Sequence, residues 1–167
     1  MSTLVFVNTY THSVTFVTDK MLTSLKRIII WSGLDPARMS RDWVVLEQGV
    51  KTWLESRHLE TMVLEIYRPV TSSLVGRWEF EIAYGFGADQ GEMWVDPDAI
   101  RFAIEKAGVH PAGCDYRIIV VTKPGRPAVA GWGPTELLST AGFIKHTVGT
   151  TIGANPLAAR AAYWRKV

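Results

Sequence analysis

Cysteine is nearly absent from this chain: Cys114 is the only thiol in 167 residues, and one thiol cannot build an internal disulfide framework. A reducing, intracellular compartment is the natural setting. Residues Met1 to Tyr10 lack the basic stretch and apolar run of a signal peptide, and no apolar run approaches the ~20 residues needed to cross a bilayer. The expectation is a soluble cytoplasmic protein without membrane contact. Metal-ligand spacing is missing as well. His12, His58, His110 and His146 lie far apart, with no HExxH, no CxxC and no close His/Asp pair, so neither a metal nor an organic cofactor is expected. Gly85-Phe86-Gly87 is a lone GxG without a third glycine or a following Lys-Ser/Thr, and it reads as a loop rather than a phosphate cradle. The eighteen basic residues are scattered and leave a formal net charge of +2. Duplex binding needs many cations on one face, so direct nucleic-acid binding is not expected.

What the chain does have is apolar substance, 47% by composition, enough for one domain with a real core. Val14, Val17, Met21, Leu25 and Ile28 recur at three- and four-residue spacing and predict a helix from Ser13 to Ser32, ended by Gly33. Ser40 is placed to cap a second helix running to Ser56, with Trp43, Leu46, Val50, Trp53 and Leu54 on its apolar stripe. The period then changes to two. Met62, Leu64 and Ile66 share one face of a strand from Thr61 to Tyr67, and Trp78, Phe80, Ile82 and Tyr84 share one face of another from Leu74 to Tyr84. Together they predict a hairpin with one solvated face. Gly85 to Glu92 reads as a loop. Asp96-Pro97 predicts an N-cap and first turn for a short helix ending at Gly108, and Tyr116 to Thr122 is a continuous apolar run of the kind a buried strand shows. This order gives an α+β domain.

Catalytic signals are weak. Glu65, Glu79 and Glu81 form the one carboxylate cluster, but they fall on the predicted polar face, with Arg68 and Arg77 as cross-strand partners. A small hydrolase or transferase using Glu79 or Glu81 with a histidine is the enzyme-class alternative, and a nucleic-acid-binding module is a third reading. Ser13 and Cys114 sit in no nucleophile elbow; a helix cap and a small packed thiol describe them better. Most of the seven tryptophans fall at core phase, whereas Trp132 and Trp164 bracket the last stretch of chain.

That stretch, Pro124 to Val167, holds one acidic residue, Glu136, together with Trp132, Leu137, Leu138, Phe143, Ile144, Ile152, Leu157, Tyr163 and Trp164. It is too aromatic for a disordered tail. It also lacks clear helical or strand periodicity, which predicts an irregular segment that takes its shape from what it wraps.

Taken in order, several blocks resemble a HORMA domain. They are Tyr10-Thr11-His12-Ser13-Val14-Thr15, Ser32-Gly33-Leu34-Asp35-Pro36, Lys51-Thr52-Trp53-Leu54, Leu64-Glu65-Ile66-Tyr67, Arg77-Trp78, Lys106-Ala107-Gly108, Thr122-Lys123-Pro124-Gly125-Arg126-Pro127, Gly131-Trp132 and Ala162-Tyr163-Trp164-Arg165. The match is closer to the bacterial HORMA proteins of CBASS anti-phage systems. The resemblance implies one HORMA domain over residues 1–167, with a central β-sheet packed against three helices, a core of 1–123 and a C-terminal "safety belt" of 124–167. It implies a non-enzymatic adaptor that closes the belt around a closure-motif peptide of another protein. In its closed form the adaptor activates a cGAS/DncV-like nucleotidyltransferase, and a AAA+ ATPase remodeler resets it by engaging Met1 to Asn8. Carried onto this chain, the peptide would add to the strand holding Tyr116, Ile118, Ile119, Val120 and Val121, beside Trp132. Pro124, Gly125 and Pro127 would form the hinge. Trp78, Phe80 and Ile82 would lie on the strand that receives the belt, and Tyr163 and Trp164 would anchor it. Which of the alternate side chains on the Tyr116 to Thr122 strand face the core stays open at this stage.

Overall fold

The computed structural model describes residues 2–3, 9–85, 93–110 and 112–166. The expected ATPase handle, Met1 to Asn8, lies mostly outside the described residues, as do Phe86 and Gly87 of the GxG loop.

Helix α1 (Thr9–Trp31) runs through the centre of the core, with Val14, Val17, Met21, Leu25 and Ile28 each no more than 2% exposed. It begins before Ser13, so the expected cap at that residue is corrected: Ser13 is buried inside the helix, and its hydroxyl donates to the Asn155 carbonyl at 2.7 Å. The single helix expected from Ser40 is instead two, α2 (Ala37–Arg41) and α3 (Trp43–Glu55), which break at Asp42. Met39 of α2 and Leu46 of α3 are both buried in the core. Ser40 therefore sits inside α2 and caps nothing.

Strands β1 (Leu59–Arg68) and β2 (Ser73–Ala83) form the expected hairpin, with Leu64 opposite Trp78. After the two-residue strand β3 (Trp94–Val95) comes α4 (Pro97–Ala107), capped by Asp96, whose Oδ1 accepts the Ala99 N–H at 3.1 Å. Strand β4 (Asp115–Thr122) then pairs antiparallel with the far side of β1.

The tail departs from expectation. It contains two long strands, β5 (Phe143–Ala154) and β6 (Leu157–Lys166), and β6 pairs antiparallel with β2. Their alternation is one of size more than polarity. Ala158, Ala159, Ala161 and Ala162 are all buried, and alanine carries little strand signal. The result is a six-stranded antiparallel sheet in the order β3-β5-β6-β2-β1-β4, with α1 packed on β5 and β6 and α3 on β1.

The face of β1 turned away from the helices is not solvated, another correction. Val63 is 1% exposed and Glu65 is fully buried. Glu65 lies under the segment that carries the chain from β4, at one edge of the three-strand core, across to β5 and β6 at the other, and the Leu138 N–H of that segment reaches its carboxylate.

Candidate functional site

Strand β4 ends the sheet, and among the described residues no strand pairs with its outer edge. Such an edge presents unpaired N–H and C=O groups. Register fixes the phase that sequence left open. Ile118 and Val120 lie opposite Leu64 and Met62 and share their helix-side face, whereas Ile119 and Val121 lie opposite Val63 and Thr61 on the other. Tyr116 shares the face of Ile118. Its hydroxyl donates to the Asp35 carbonyl at 2.7 Å and accepts the Met39 N–H at 3.3 Å, tying α2 to the strand. Burial pushes its phenol above the ordinary tyrosine range, against the opposing pull of the Met39 N–H and Arg38.

From β4 the chain turns at Pro124 and Gly125, where φ of +83° favours glycine. The Pro127 carbonyl then accepts the Trp53 indole N–H at 2.8 Å, and the Arg126 guanidinium lies 4.9 Å over the Trp53 ring. Five residues on, Trp132 meets Trp53 edge-on at 5.0 Å between centroids, and its own N–H donates to the Val45 carbonyl at 2.9 Å. Gly49 makes this seat available, because a Cβ there would stand 2.3 Å from Trp132 Nε1. Residues 126–132 are thus clamped to α3.

Beyond Trp132 a buried charge cluster holds the segment. Arg77 donates to Glu65 Oε2 and Arg117 Nε to Glu65 Oε1, each at 2.7 Å, and the Leu138 N–H donates to Oε2 at 2.7 Å. The same arginines reach on to the crossing chain, Arg77 to the Leu138 carbonyl and Arg117 to Thr135 Oγ1 and the Glu136 carbonyl. Sequence reading paired Arg77 with Glu65 across the hairpin but put both on a solvated face. In the structure the carboxylate is the hub that fastens residues 135–138 to β1.

Two cavities lie along β4 beneath this strap, on either side of Trp132. One of about 490 Å³ is lined by Met39, Leu46, Tyr116, Ile118 and Trp132, with Arg38 and Arg117 at its rim. The other, about 220 Å³, is lined by Trp53, Ile118, Val120, Arg126, Trp132 and Pro134. Ile118 and Trp132 line both, so the cavities follow one strand edge.

At the opposite edge, Trp78 lies opposite Tyr163, Phe80 opposite Ala161 and Ile82 opposite Ala159. The Trp78 and Tyr163 rings are 5.1 Å apart, and His146 stacks on Tyr163 at 4.9 Å. Trp164 donates its indole N–H to Glu79 Oε1 at 2.8 Å, and Lys145 lies 3.4 Å from Oε2. Both Glu79 oxygens are therefore occupied in holding β5 and β6, while Glu81 is exposed opposite Arg160. His58 Nδ1 sits 2.8 Å from Ser56 Oγ, and His110 is half-buried against Gly76. Cys114 is half-buried against the core. Among the described residues no group of three or more His, Cys, Asp or Glu is arranged to hold a metal, and no helix is long and apolar enough to cross a membrane.

Sequence reasoning missed Glu65, Arg117, Trp53, Gly49 and Arg126 as parts of the strap's fastening. The available signal was a core-phase tryptophan, Trp53, one helical turn beyond a lone helical glycine at 49.

The family model described as bacterial HORMA domain 2 matches residues 1–167. No curated protein matches the chain by sequence. Among solved structures, a chain from a crystal structure of the Mitotic Checkpoint Complex superposes with a TM-score of 0.74 at 9% identity, over 93% of this chain and 99% of that one. A chain of the E. coli MS115-1 CdnC:HORMA-deltaN complex gives 0.67 at 12% identity, over 100% and 93%. C. elegans HTP-2 bound to HTP-3 closure motif 1 gives 0.66 at 11% identity, over 90% and 86%. At these identities the likeness is one of fold.

Proposed function

The chain belongs to the bacterial HORMA domain 2 family, and from that premise we propose that it is a peptide-retaining switch whose residues 124–167 act as the safety belt over a core of 1–123. The observation that carries this reading is the sheet order. The chain leaves β4 at one edge and rejoins the sheet as β5, on the far side of β1, β2 and β6, so residues 123–142 strap across it. An extended peptide lying along β4 under that strap is held by main-chain pairing to the strand and released only when the strap lifts. Tyr116, Ile118, Ile119, Val120, Val121 and Trp132 form its surroundings. Pro124, Gly125 and Pro127 are the hinge, Trp78, Phe80 and Ile82 the docking strand, and Tyr163 and Trp164 the anchor. The arrangement with β6 on β2 is the closed one.

The closed surface, with its bound peptide, recruits and activates a cGAS/DncV-like nucleotidyltransferase in cytoplasmic anti-phage defence, and a AAA+ remodeler resets the switch from the N-terminal segment. A fold-level neighbour in a complex with CdnC, and another bound to a closure motif, support looking for these two partners. Reconstitution tests the reading. The chain is incubated with a cGAS/DncV-like nucleotidyltransferase, with and without a library of short linear peptides, and cyclic-oligonucleotide synthesis is followed. Stimulation that depends on peptide is expected. Equal binding and an unchanged synthetic rate with every peptide would refute it.

A further inference from the structure

The two cavities along β4 differ in chemistry, and the difference specifies a ligand. The larger is walled by Met39, Leu46, Tyr116, Ile118 and Trp132. The cations at its rim are already neutralised: Arg38 lies 2.9 Å from Asp115, and Arg117 lies 2.7 Å from Glu65. Asp42, the one carboxylate of this lining, lies 3.4 Å from Arg41, so a side chain entering there meets mostly apolar surface and charges that already have partners. In the smaller cavity Arg126 is the one ionisable residue of the lining. Its guanidinium lies 4.9 Å over the Trp53 ring, and among the described residues no carboxylate stands within salt-bridge distance of it. A half-buried cation over an aromatic face, without a counter-ion, is a site for an anionic group.

Spacing joins the two. The larger cavity flanks Tyr116 and Ile118, the smaller Ile118 and Val120, which are successive positions on the helix-side face of β4. An extended chain paired with β4 repeats its own same-face side chains every second residue, about 6.7 Å apart. Resting on the reading of this edge as the peptide site, we infer that the retained peptide carries a large apolar side chain and, two positions away, an Asp or Glu. The apolar group fills the space beside Met39 and Leu46, and the carboxylate pairs with Arg126.

The test pans a phage-displayed library of random linear heptapeptides on the full chain, on Arg126→Ala and on Arg126→Glu, with circular dichroism to establish that each is folded. Wild type is expected to select a large apolar residue with Asp or Glu two positions away. Arg126→Ala is expected to keep the apolar position and lose the acidic one, binding the wild-type consensus about tenfold more weakly, and Arg126→Glu to select Lys or Arg in its place. Peptides retained by wild type with a neutral or basic residue at that position, or an acidic preference that survives in Arg126→Glu, would overturn the assignment while leaving the peptide site standing. If no peptide is retained by any of the three, the peptide site itself fails.

Discussion

Replacing Glu65 by glutamine perturbs the strap at its fastening while keeping side-chain size. Glu65 is fully buried and accepts from Arg77, Arg117 and the Leu138 N–H. A glutamine offers one oxygen in place of two, so its amide nitrogen must face a donor on one side, and both arginines lose their counter-charge. Breaking a buried ion pair costs about 3–5 kcal/mol, against about 5–15 kcal/mol for a whole domain. The fraction tied to the strap is smaller. The Arg77 and Arg117 contacts join strands of the core sheet, whereas the Leu138 N–H belongs to the crossing chain, and a hydrogen bond to a charged group contributes about 1.5–3 kcal/mol. Amide hydrogen exchange resolved at Leu138 reads this directly. In Glu65→Gln the Leu138 amide should exchange about one to two orders of magnitude faster, and the denaturant midpoint should fall. A Leu138 amide exchanging at the wild-type rate would refute the claim that Glu65 holds the strap.

Gly49→Ala drives a Cβ into the Trp132 indole. It should cost about 1.5–2.5 kcal/mol through the lost Val45 hydrogen bond and Trp53 edge contact, yet be neutral or stabilising by up to about 1 kcal/mol in a Trp132→Ala background, where helix propensity alone acts; equal effects in both backgrounds, by urea titration, would contradict this. Burial lowers the pKa of His110, so below about pH 6.5 the unfolded chain takes up a proton that the native state does not. The stability present above that pH should be lost progressively as pH falls towards the folded pKa. His110→Gln should flatten that slope, and identical slopes for the two proteins would refute the assignment. Truncation after Arg126 removes Ile152, Leu157, Ala159 and Tyr163 from the core cluster and bares the edge of β2. The shortened chain should aggregate or bind a hydrophobic dye; a monomer with a sharp unfolding transition would show that β5 and β6 are dispensable to the core.

The elements legible in the sequence are those whose periodicity is set by one buried face: α1, the β1–β2 hairpin, α4 and β4. Asp96-Pro97 and Gly108 also marked the ends of α4 correctly, because capping is local chemistry. Strands β5 and β6 were illegible for a physical reason. Alanines are buried on both faces of β6, Ala158 and Ala162 on one and Ala159 and Ala161 on the other, with Arg160 alone exposed among them, so the strand shows no regular alternation of polarity. The break at Asp42 was hidden because Met39 and Leu46, seven residues apart, fall on one face of an unbroken helix as well, so the apolar phase carries no sign of it. Glu65 misled most. Its position in an alternating strand implies a solvated face, and only the return of residues 135–138, some seventy positions later, covers it. For the site, β4 was legible as an apolar strand but of the buried kind, and only the family resemblance placed it at an edge, where most of its side chains are half-buried; Trp132 was legible as an aromatic outside core phase. Arg117, Arg126 and Gly49 were not, since their roles exist only against the strap.

The central claim is that a peptide pairs with the outer edge of β4 beneath the strap. Hydrogen exchange across residues 115–122, with and without a peptide selected by the chain, tests it most directly. Alternate β4 amides, those not bonded to β1, should become protected when the peptide binds, together with Leu138. A peptide that binds tightly while every β4 amide keeps its exchange rate would contradict it.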